Sequence, residues 1–202
     1  DARGWQVSGS GTGPADTTGQ AAGRVGNDGQ LALDLAGQAP LGLANAFIAP
    51  RQISGLARYD LSVNGPARPG SLSGEVTLSD GRLTAPNLGQ AIEAISGRIG
   101  LGGAQARLDI AGDLAAGGQV GASGSIGLLA PNTADLAIDL QRARLRDPAL
   151  YETRADGTIR VDGPLTGGAR ISGAIDIGRT EIRVPSSPVS TLGDLPRVTH
   201  VA

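Results

Sequence analysis

The sequence predicts an all-β protein, one long antiparallel sheet interrupted by one or two short helices. The first sign is an internal repeat. DLSVNGP from Asp60 and SGEVTLSDGRLTAP ending at Pro86 are answered by TIRVDGP from Thr158 and SGAIDIGRTEIRVP ending at Pro185. Leu61, Val63, Gly65, Pro66, Leu72 and Gly74 find counterparts in Ile159, Val161, Gly163, Pro164, Ile171 and Gly173. The second sign is the alternation of apolar and polar residues inside each copy, which puts one oily face on a set of strands. The third is composition. With 33 Gly and 12 Pro in 202 residues, turns are frequent, and with aromatic residues at 2% any interior must be filled by Leu, Ile, Val and Ala.

Along the chain, residues 1–30 read as a flexible Gly-rich segment or as frayed first strands, since GSGTGPADTTGQAAG contains no large aliphatic residue. Residues 31–202 read as one repeated β-domain. Leu31, Leu33 and Leu35 form a strand after the turn signal Asp28-Gly29. Pro40 and Pro50 bracket LGLANAFIA, in which Leu41, Ala44 and Ile48 share a helical face, so a two-turn helix is expected there. Strands through Tyr59, Leu61 and Val63, and through Leu72, Val76 and Leu78, are expected to end in tight turns at Asn64-Gly65 and Asp80-Gly81. Leu88, Ile92 and Ile95 fall at i, i+4 and i+7, which predicts a second helical turn over 87–95. Ile99–Leu101, Leu108–Ile110, Val120–Leu128 and Leu136–Leu140 then follow as strands of a meander, before the second repeat copy.

Little in the chain offers chemistry. Cys is absent and His200 is the only imidazole, which leaves no thiolate metal site, no nucleophile–His pair and no cofactor. Gly9–Gly13 resembles a phosphate loop, but Pro14 stands where the dinucleotide fingerprint needs its last Gly. Asp109 with Asp113, and Asp135 with Asp139, share strand faces in the manner of solvated positions. The expectation is therefore a protein that is not an enzyme. A net charge of -2 argues against nucleic acid as a partner. Arg142, Arg144 and Arg146 would project to one side of a strand, either as possible contacts for anionic head groups or as an ordinary exposed face. An aliphatic face this wide must fold over, meet a second sheet or hold an apolar ligand.

The blocks GEVTLSDGRLTAP and SGAIDIGRTEIRVP, with QAPLGLANAFIAPRQISG and LQRARLRDPALYETRADGTI, resemble the repeating units of the TamB C-terminal region, in the AsmA-like group. That resemblance covers about Leu31 to Ala202 and implies a long curled antiparallel sheet, an open trough sometimes called a β-taco. It implies a periplasmic segment of a longer protein anchored in the bacterial inner membrane by a helix outside this sequence. Implied partners are an outer-membrane barrel of the Omp85 type (TamA-like), phospholipid acyl chains and nascent outer-membrane protein strands. The implied role is phospholipid transport between the membranes, outer-membrane protein assembly, or both.

On this reading Val76, Leu78, Ile99, Leu101, Leu108, Ile110, Ile126, Leu136, Ile138, Ile175 and Ile177 line the groove. Their smooth aliphatic surface suits a featureless acyl chain. The alternative expectation is a β-solenoid passenger or adhesin segment of a secreted autotransporter, with a closed core.

Overall fold

The computed structural model describes residues 4–13, 17–86, 90–147 and 151–182. Its strands are β1 (Gly4–Thr12), β2 (Thr18–Gly26), β3 (Gln30–Pro40), β4 (Gln52–Pro66), β5 (Leu72–Ala85) and β6 (Gln90–Gly102). They continue with β7 (Gln105–Leu114), β8 (Gln119–Gly127), β9 (Thr133–Asp147), β10 (Tyr151–Pro164), β11 (Arg170–Ile177) and the short β12 (Glu181–Ile182). All twelve lie in one sheet, ordered β1 to β11 without a crossover, with β12 beside β10. Every pairing is antiparallel and the sheet does not close into a barrel. A β-helix, by contrast, stacks parallel coils.

The joint between β3 and β4 is the expected short helix: a 3-10 turn over Leu41–Ala44 leads into α1 (Asn45–Ile48). Asn45 Oδ1 fastens it by accepting the Ile53 amide at 2.6 Å. Residues 4–12 and 18–26, expected to be flexible or frayed, form the paired strands β1 and β2, with β1 exposed along its length.

Three local expectations are corrected. Residues 90–95 are strand rather than helix, while 87–89 lie outside the described residues. The helical spacing of Ile92 and Ile95 comes instead from a β-bulge: the register against β7 slips between Glu93 and Ser96, and Ala94 adopts φ 50. One extra residue restores both isoleucines to the same face. Asp80-Gly81 is likewise no turn. It is a bulge inside β5, with Asp80 at φ 53, and Asn64-Gly65 stays in the ladder opposite Ala32 and Leu31. A third bulge interrupts β9, where Arg142 sits at φ 50 opposite the Ala155–Gly157 shift.

The two repeat copies superpose in register as well as in sequence. Gly74 pairs with Leu61 in the first, and Gly173 with Ile159 in the second. Both glycines lie mid-strand at φ +128 and +155, and a Cβ on either would overlap the carbonyl oxygen of Asp60 or Thr158. Only glycine permits that approach. Such kinks, together with the bulges, let a twisted sheet curl toward its apolar side.

Candidate functional site: one uncovered aliphatic face

Antiparallel pairing stacks side chains of the same face into rows across the strands. One row runs Tyr59, Val76, Ile99, Leu108, Gly124, Leu136, Val161 and Ile171. Beside it run Leu78, Gly97, Ile110, Ala122, Ile138 and Ile159, and on the other flank Leu101, Ala106, Ile126 and Ala134. Ile175 and Ile177 extend the face onto β11. All eleven residues expected to line the groove therefore share one face of the sheet. They differ in shelter: Leu78 is 9% exposed, whereas Ile175 and Ile177 on the edge strand are 46% and 67% exposed.

No second layer covers this face among the described residues. Consequently no large side chain is fully buried, and the deepest members are small, Ala143, Ala155 and Ala134. The best-sheltered large residues, Ile95 and Leu78, flank the bulges of β5 and β6. A bulge bends the strand that carries it. Shelter comes from curvature. β6 and β9 even meet around the tip of the β7–β8 hairpin, where Gln90 Nε2 donates to the Arg146 carbonyl at 3.4 Å.

Sequence reading missed further wall positions, among them Tyr59, Leu61, Leu83, Ile95, Val120 and Val161. Alternation alone identifies most of them. Leu83 and Ile95 were hidden because a bulge resets the parity of their strands.

The opposite face is polar and knitted by short-range contacts. Thr158 Oγ1 donates to Asp139 Oδ1 at 2.5 Å, the hydroxyls of Ser62 and Ser73 lie 3.2 Å apart, and Arg82 meets Glu93 at 3.0 Å. Asp109 and Asp113 lie on this face of β7, opposite Arg98 and Glu93. Asp135 lies on the same face, opposite Asp162. Arg142, Arg144 and Arg146 are exposed on this side, but they do not act as one row: Arg146 leans toward Glu152 at 4.0 Å, and Arg142 is offset by the bulge. His200 lies outside the described residues.

These features define a class: an open, curled antiparallel trough whose aliphatic side has no protein layer over it. No helix among the described residues is long and apolar enough to cross a membrane. Residues 107–198 match the family model described as the TamB C-terminal domain, so the second half of the chain is similar to that family. β1 to β6 precede that stretch and continue the same sheet. No curated protein and no solved structure matches the chain.

Proposed function

We propose that this chain is a periplasmic stretch of a TamB-like protein, and that its aliphatic face shields phospholipid acyl chains moving between inner and outer membranes. The carrying observation is the continuity of the uncovered rows from β4 to β11, without a charged side chain among their members. A face of this size in water is unfavourable unless something apolar occupies it. Acyl chains make no directional demands, and rows of Leu, Ile, Val and Gly offer none. A nascent outer-membrane strand is a second occupant of the same groove, supported by the open edge of β11, which presents unpaired backbone groups for strand addition. In this reading the chain performs no catalysis, and an Omp85-type barrel stands at the outer-membrane end.

The test is photo-crosslinking in cells. Crosslinkers replacing Leu108 and Ile138 should capture phospholipid, and those replacing Asp109 and Ala137 on the polar face should not. Equal capture from both faces, or none from either, would overturn the conduit reading. Crosslinks to outer-membrane protein alone would transfer the groove to the second occupant.

A further inference from the structure

The polar face carries one depression that differs from the others in charge. It measures about 530 Å³ and lies beside the β7–β8 hairpin tip, walled by Asp113, Gly117, Gly118, Arg142, Arg144 and Arg154. Arg144 and Arg154 stand directly opposite each other in the β9–β10 ladder. Like charges in that relation repel and destabilise a sheet. Arg142 joins them from a left-handed backbone position, φ 50, that a non-glycine residue occupies only under constraint. The constraint is visible: the Arg142 amide donates to Asp156 Oδ1 at 2.6 Å. A bulge held in this way re-aims a side chain.

None of the three guanidinium groups has a carboxylate within 4.0 Å among the described residues, where the ion pairs are Arg82–Glu93 and Arg146–Glu152. The nearby acids are otherwise engaged, Asp113 Oδ1 with Gln119 Nε2 at 3.2 Å and Asp156 with the Arg142 amide. The hairpin tip adds room. A side chain at Gly117 would press on the Arg144 side chain at 3.3 Å, and the Arg144 amide donates to the Gly117 carbonyl at 2.8 Å.

We infer that Arg142, Arg144 and Arg154 form a binding site for a phosphate group. Guanidinium forks match phosphate oxygens two at a time, and a bound anion relieves the repulsion between Arg144 and Arg154. The phosphate belongs either to a lipid head group or to a soluble ester. In the lipid case the inference rests on the trough reading, because Leu114 lines the depression and pairs with Ile92 of the aliphatic side. In the soluble case it stands alone.

The 202-residue chain is titrated with inorganic phosphate while the amide resonances of Gly117, Gly118, Arg142 and Arg144 are followed by NMR. In parallel it is sedimented with phosphatidylcholine vesicles lacking or containing phosphatidic acid. Arg144→Gln with Arg154→Gln should weaken the response about tenfold or more. Arg58→Gln with Arg98→Gln, on the same face but remote from the depression, should leave it unchanged. Circular dichroism establishes that each variant is folded, and Arg144→Lys should retain part of the affinity because charge survives without the fork. A response to phosphatidic acid vesicles, with or without one to inorganic phosphate, assigns a lipid head group. A response to inorganic phosphate alone assigns a soluble ester. No response at these residues to either probe, or an equal loss in the remote variant, overturns the site. Leu108→Asp should abolish lipid capture while leaving phosphate binding intact, which separates failure of the trough from failure of the site.

Discussion

At the scale of single residues, glycine sets the shape of this molecule. Gly74 and Gly173 occupy equivalent places in the two repeat copies, each facing a large aliphatic residue across the ladder at a φ that other residues avoid. Gly74→Ala should cost about 1–3 kcal/mol from backbone strain, with overlap at the Asp60 carbonyl in addition. Gly173→Ala should cost less, because β11 is an edge strand and can move. Shifts in the urea midpoint measure both. A Gly74→Ala midpoint equal to that of the unaltered chain would show that the kink is not required. Both glycines were visible in the sequence as matching positions of the two repeat copies. Their role in mid-strand was not legible, because a strand kink and a turn use the same residue for the same reason, access to positive φ.

At the scale of elements, alternation of side chains located the strands and put eleven residues, from Val76 to Ile177, on one face. The pattern failed where a bulge adds a residue. Ile92 and Ile95 imitate a helix for that reason, and Asp80-Gly81 imitates a hairpin turn. No local signal separates these cases, since the bulge is fixed by register with the neighbouring strand. Deletions test this directly. Removing Ala94 takes out the extra residue and leaves Ile92 and Ile95 on the apolar face, so the chain should fold with a loss of about 1 kcal/mol or less. Removing Ser96 instead forces Ile95 to the polar side and should cost about 2 kcal/mol or more through lost burial. Thermal or urea unfolding of the two deletions should rank them in that order, and the reverse ranking would reject the bulge as the cause. The Arg cluster was half legible. Arg142 and Arg144 stand out as alternate residues, but Arg154 enters only through the β9–β10 pairing.

At the scale of the whole molecule, the sheet has two free sides and one uncovered face. β11 carries Ile171, Ile175 and Ile177 in exposed positions, without the inward charge or proline that commonly blunts an edge. The isolated chain should therefore self-associate, and Ile171→Lys with Ile177→Lys should raise the concentration at which association begins by about tenfold. Sedimentation velocity reads this outcome. Unchanged association in the double variant would move the contact elsewhere, with the exposed Trp5 of β1 as the next position to alter. That the sheet curls and stays open was implied by family resemblance, whereas the residue pattern alone left folding over, a second sheet and an apolar ligand as equal solutions.

The uncrossed order of β1 to β11 also makes the sheet a measure of length. Neighbouring strands lie about 4.8 Å apart, so the seven steps from β4 to β11 extend the apolar face by about 34 Å. Each hairpin inserted into such a meander adds about 10 Å and disturbs no existing pairing. The gap this face can bridge is thus counted in strands, and changes by whole hairpins.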